Sequence, residues 1–311
     1  MLALLLLGGT GVGPAASEAE PSAVHCAHVR EGRGTTYRIE PWGANSVRVR
    51  VGDDPTIELP QQALLPQPLK PVARAATESS CVVTNGNLKA SVVGGKLQFV
   101  ESSTGKLLLT ERAHTVCSGG ACSSKMPGVA ASVPPRGGIT FLSSPGERLY
   151  GLGEHRTGRL NNHGLSLDFE DAGVYDHHHA GDIVLPFYLS SNSYGFMWNM
   201  ASFGAFNSSD TEISWSSMST PVLDMWVTTG AAATPDTEDD VTSENGFKSM
   251  LGQFADATGH PPKMPDFATG FWQCKNRYRS QAELLSTARE YKARQLPIST
   301  IVIDYLHCES C

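Results

Sequence analysis

Several classes of protein are excluded by what this chain lacks. Its apolar run from Met1 to Leu7 is far too short to span a bilayer, which takes about 20 apolar residues. Positive charge is scarce: 24 Lys and Arg stand against 31 Asp and Glu, a net charge of −7. A chain this acidic has no footprint for a phosphate backbone, so no nucleic-acid partner is expected. Cysteine is sparse. The 7 residues (Cys26, Cys81, Cys117, Cys122, Cys274, Cys308 and Cys311) are an odd number, so at least one has no partner within the chain. Cys308-Glu309-Ser310-Cys311 has CxxC spacing without the second pair that a zinc site needs. Asp176, His177, His178, His179 and Asp182 contain no helical i, i+4 histidine pair, so a polar loop tip is the simpler reading than a metal site. Cys117 and Cys122 are spaced to close a small loop in an oxidising compartment.

What is present reads as a globular chain of 311 residues, 40% apolar and 18% charged. Residues 1–30 read as a leader or tail. Ala15-Ala16-Ser17 offers a cleavage site, but no basic residue precedes the apolar run, which leaves secretion and a cytoplasmic location equally open. Residues 31–245 read as an antiparallel β-sandwich. Ser46 to Val51 alternates polar and apolar residues with the period of a half-buried strand. Asn85-Gly86 and Gly94-Gly95 are hairpin signals between Cys81–Thr84, Leu88–Val93 and Leu97–Val100, as in a meander. Further strands are expected at Ile139, Phe187–Leu189, Gly195–Trp198, Glu212–Trp215 and Leu223–Val227. Tyr194, Phe196, Trp198, Phe203 and Phe206 could stack on sugars, but their spacing fits a core strand and its flanking turn.

Residues 246–264 read as a linker with a short helix through Leu251, Phe254 and Ala255, and a new domain starts at 265. Ser280-Gln281-Ala282-Glu283 has capping-box spacing, in which the Glu283 carboxylate would reach back to the Ser280 N–H. A helix with an apolar stripe at Leu284, Leu285, Ala288 and Tyr291 should follow. Leu296-Pro297 ends it, and Ile298 to Ile303 reads as a buried parallel strand with Asp304 at its carboxyl end. By itself Asp304 fits a helix cap or turn as well as a ligand group. One β-loop-α-β unit cannot cover its own strand, so the chain is expected to stop mid-domain.

Leu149-Tyr150-Gly151-Leu152-Gly153-Glu154-His155, Leu185 to Ser190, Tyr194 to Asn199, Gly259 to Pro265, Gly270 to Cys274 and Ile301 to Tyr305 together resemble glycoside hydrolase family 31 from about Leu149 onward. That family includes α-glucosidases and α-xylosidases. The resemblance implies a galactose-mutarotase-like β-sandwich followed by the first βαβ unit of a truncated (β/α)8 barrel. It also implies a retaining glycosidase, in which two carboxyl groups about 5–5.5 Å apart act as nucleophile and acid/base. In the family both lie beyond the fourth barrel strand, so neither is expected here. Asp304 matches the family aspartate that holds sugar hydroxyls, with Tyr305 beside it. Asn276 falls where relatives often carry an aromatic, and Asp171 matches an acidic residue on a sandwich loop that reaches the barrel mouth. After Tyr305 the chain departs from the family's His-Trp pair and Gly-rich loop, reading His307-Cys308-Glu309 instead. The implied partner is an oligosaccharide or α-glycoside substrate, with no metal or organic cofactor. A sandwich that binds carbohydrate without catalysis is the alternative, and the half-built barrel speaks against it.

Overall fold

Runs of β-branched and aromatic residues divided by Gly- and Asn-bearing turns form the strands that the described residues before 231 contain. The computed structural model describes residues 24–30, 33–53, 63–67, 73–76, 80–117, 136–155, 157–169, 183–218, 222–230 and 244–304. Its strands are β1 (Val24–Arg30), β2 (Arg33–Pro41), β3 (Ser46–Gly52), β4 (Ala73–Ala76), β5 (Ser80–Asn85), β6 (Leu88–Val93), β7 (Lys96–Glu101), β8 (Leu107–Val116) and β9 (Gly137–Leu142). They continue with β10 (Leu149–Glu154), β11 (Ser166–Asp168), β12 (Ile183–Ser190), β13 (Tyr194–Trp198), β14 (Ala205–Ser208), β15 (Glu212–Ser217) and β16 (Leu223–Thr229). The pair Gly94 and Gly95 joins β6 to β7 with φ of 56° and 70°, the left-handed geometry that a two-residue hairpin turn requires. Strand β1 begins within the stretch read from sequence as a leader.

Among the described residues two large antiparallel sheets form, in the orders β1-β2-β3-β16-β13-β12-β10 and β11-β14-β15-β9-β8-β7-β6-β5-β4. They pack face to face on one core. Trp215 of the second sheet stacks on Tyr188 and Phe196 of the first, and Phe141 meets Phe196 edge-on at 5.5 Å. Helix α1 (Glu244–Thr258) then covers the outer face of the first sheet. There Phe187, Leu189, Met197 and Trp226 pack with Met250, Phe254 and Ala257, and the Phe187 and Phe254 rings stack at 4.1 Å. Burial on both faces leaves no exposed position along β13 or β16, and the polar residues of β16, Asp224, Thr228 and Thr229, are buried with the rest. The Gln253 side chain fixes the helix in place: its oxygen accepts from the Asn45 N–H and the Ser46 and Thr228 hydroxyls, and its amide donates to the Thr229 carbonyl.

Two sequence expectations are corrected. The polar face of β3 is not solvated, because Arg48 forms a two-pronged ion pair with fully buried Asp224, and Arg50 pairs with Glu40. Asn199 supplies a further donor to Asp224 at 2.8 Å. Of the aromatic set, Tyr194, Phe196, Trp198 and Phe206 are core residues as expected, but Phe203 lies on a turn and is 61% exposed.

The motif through Gly151 and Gly153 has a steric origin. The ladder between β10 and β12 shifts register between these glycines, at φ of 118° and 105°. A Cβ on Gly153 would meet the Ile183 carbonyl oxygen at 1.8 Å, whereas one on Gly94 would meet nothing. Gly153→Ala should therefore lower stability by about 2–4 kcal/mol, and Gly94→Ala by about 1 kcal/mol from backbone strain alone. Chemical denaturation that found equal losses would refute this account of the motif.

Core polarity yields a second expectation. The carboxylate of buried Glu147 accepts from Ser190 and Tyr194, and the Tyr194 and Tyr188 hydroxyls meet at 3.3 Å. Burial pushes both phenols well above their ordinary value of 10.0, aided for Tyr188 by Glu147 and for Tyr194 by Tyr188 and Glu147. Above about pH 10 the unfolded tyrosines lose their protons while the native ones keep theirs, so stability falls as pH rises. In thermal denaturation across that range, Tm should decline more steeply for the wild type than for Tyr194→Phe. Parallel declines would contradict it.

Candidate functional site

The chain divides after Gly259 into two compact units. In the second, strands β17 (Trp272–Gln273) and β18 (Thr300–Ile301) pair in parallel, joined by helix α2 (Gln281–Ala293). Ser280 caps the helix as its sequence implies, its hydroxyl accepting from the Glu283 N–H at 3.2 Å. The return bond differs from expectation: the Glu283 carboxylate accepts from the Arg279 N–H at 2.8 Å and from the Lys275 ammonium. Lys275 first, and then the Arg279 N–H, hold the Glu283 carboxyl below its ordinary range.

Helix α2 is tied to β17 through the Tyr291 hydroxyl, which donates to the Gln273 side-chain oxygen, while the Gln273 amide donates to Tyr278. The helix ends at Ala293, and Gln295, at φ of 57°, turns the chain toward β18. Backbone N–H groups of Ser299 and Thr300 then bond to the Phe271 carbonyl. The segment read as a buried strand is only half-buried, and Ile303 is 60% exposed. Among the described residues β18 has one neighbour, so one flank of its ladder is uncovered.

This pairing puts the residues that follow the two strands side by side. Asp304, beyond β18, is exposed, and its Oδ2 accepts from the Cys274 thiol, one residue beyond β17, at 3.2 Å. That bond, more than burial, raises the Cys274 thiol above its ordinary value, because a thiolate would face the carboxylate. A carboxylate so held is an acceptor suited to the hydroxyls of a neutral ligand. Asn276 is also exposed and lines an open polar cleft of about 610 Å³ with Lys275, Arg277, Arg279 and Glu283. Asp171 and Tyr305 lie outside the described residues, as do the run from Asp176 to Asp182 and Cys122, Cys308 and Cys311. Sequence reasoning gave Cys274 no role. Its place immediately after a barrel-type strand was the available signal.

In the first unit an apolar cleft of about 550 Å³ is lined by Phe169, Val184, Pro186, Met197, Trp198 and Asn199, among others. Phe169 and Val184 flank the segment that contains Asp171. Cys81 and Cys117 are both disulfide-bonded, and Cys274 is free. Among the described residues no His, Cys, Asp and Glu cluster could hold a metal ion, and no helix is long and apolar enough to cross a membrane.

Comparison with known proteins places both units. Residues 36–207 match the glycosyl hydrolase 31 N-terminal galactose mutarotase-like domain, and residues 261–310 match the glycosyl hydrolases family 31 TIM-barrel domain. An uncharacterized family 31 glucosidase, ORF2, of Pseudescherichia vulneris is 34% identical over 87% of this chain and 50% of its own length. An α-xylosidase of Saccharolobus solfataricus is 33% identical over 53% of this chain and 21% of its own length. The chain thus spans at most about half the length of these relatives. Among solved structures, a GH31 α-xylosidase from a soil metagenome, complexed with xylose, is 33% identical, with a TM-score of 0.69 over 94% of this chain and 42% of that one. Sandwich and barrel segments thus match successive domains of one family in the same order, and the chain belongs to glycoside hydrolase family 31.

Proposed function

We propose that this chain forms the amino-terminal part of a retaining α-glycosidase that removes a terminal α-linked sugar, with an α-glucoside or an α-xyloside as substrate. The observation that carries the reading is the position of Asp304 at the carboxyl end of a parallel strand, the end at which β/α barrels build their active sites. Asp304 accepts hydrogen bonds from sugar hydroxyls and orients the ring. Tyr305 beside it, Asp171 from the sandwich and Asn276 after the first strand complete the proposed set of sugar contacts. The nucleophile and the acid/base belong to later barrel strands, beyond residue 311. The two sugar classes rest on the names of relatives that are about one-third identical.

The test starts from the native protein, captured with an antibody against residues 151–164 and assayed on p-nitrophenyl α-D-xyloside and α-D-glucoside. A species well above 33.2 kDa should release p-nitrophenol, and the pure 311-residue chain should release none. Turnover by the 311-residue chain itself, or none by any species, would overturn the reading. In the active species Asp304→Ala should raise KM by about tenfold or more, as loss of a charge-assisted contact does. Asp171→Ala should also raise KM, and an unchanged KM would remove Asp171 from the set.

A further inference from the structure

We infer that Cys274 is a positioning residue for Asp304, its thiol fixing the carboxylate that receives the sugar; the inference rests on the sugar-binding reading of Asp304 given above. The Cys274 thiol carries one proton and has two acceptors within reach. Asp304 Oδ2 lies at 3.2 Å and the Lys275 carbonyl at 4.0 Å, so the shorter, charged contact takes the proton. Cys274 is exposed, so a directional bond to Asp304 restricts its rotamer more than packing does.

The backbone makes this contact possible. Trp272 pairs with Thr300 and Gln273 with Ile301, so the chain leaves both strands at the same end of the ladder. The Gln273 side chain is held by Tyr278 and Tyr291, which steadies the strand immediately before Cys274. A neutral thiol also suits the position. It donates to Oδ2 without bringing a second charge to a site that has to accept neutral hydroxyls, whereas a lysine there would form an ion pair and compete with them.

Two measurements test this. In the 311-residue chain, the rate of Cys274 carbamidomethylation by iodoacetamide against pH should show a midpoint above that of an ordinary cysteine, and Asp304→Asn should move it down. A midpoint that Asp304→Asn leaves unchanged would overturn the contact. In the active glycosidase, Cys274→Ala should raise KM for the aryl glycoside about 3- to 10-fold, the range set by one hydrogen bond to a charged group. Cys274→Ser, which keeps a donor, should restore most of it. Equal KM values for the two variants would show that the thiol fills space and does not position, and would sink the inference. If Asp304→Ala itself left KM unchanged while the thiol midpoint still shifted, the sugar-binding reading would be what failed, and this inference would fall with it.

Discussion

One sheet buried on both faces is the constraint on which the first unit depends. Its strands β13 and β16 lie between an aromatic core on one side and helix α1 on the other, so every side chain on them is committed. Full burial of a large apolar side chain contributes about 1.5–3 kcal/mol, which makes the three fully buried tryptophans, Trp198, Trp215 and Trp226, major contributors. Double burial also dictates the polar chemistry. Asp224 shares its face with Trp226, and a carboxylate there persists because Arg48 and Asn199 satisfy it. Burial nonetheless outweighs those partners and raises the Asp224 carboxyl above its ordinary range.

The second unit is built on different terms. Its helix has no buried residue, and Phe271, Trp272, Leu296 and Ile303 are each about half exposed. Hydrogen bonds do more of the positioning there. The Ser280 cap, the Tyr291 to Gln273 bridge and the backbone bonds into Phe271 place one strand beside the other. What they hold together is local and polar, an aspartate and a thiol at the end of a ladder.

How far the sequence could be read depended on whether the determining physics was local. The hairpins at Asn85-Gly86 and Gly94-Gly95 and the cap at Ser280 were legible because each needs only a few adjacent residues of the right type. The burial of Arg48 and Arg50 was not, because it depends on Asp224 and Glu40, and Asp224 lies 176 positions away from Arg48. Phe203 was expected to be buried on the turn flanking the core strand, but that turn leaves its ring at the surface. At the candidate site, motif order pointed to Asp304. Its contact with Cys274 spans 30 positions and depends on a parallel register that no local pattern encodes. Gly153 was legible as a motif letter, but its reason, the carbonyl of Ile183, was visible only in three dimensions.

The parallel pair β17 and β18 also works as a ruler with very few marks. Two residue pairs, Trp272 with Thr300 and Gln273 with Ile301, make up the whole ladder. A slip of one residue would carry Asp304 about 3.3 Å along the strand and turn it to the opposite face. The alignment of the carboxylate with its neighbour is therefore set in whole-residue steps, by a ladder of two pairs and the backbone bonds of Ser299 and Thr300 to Phe271.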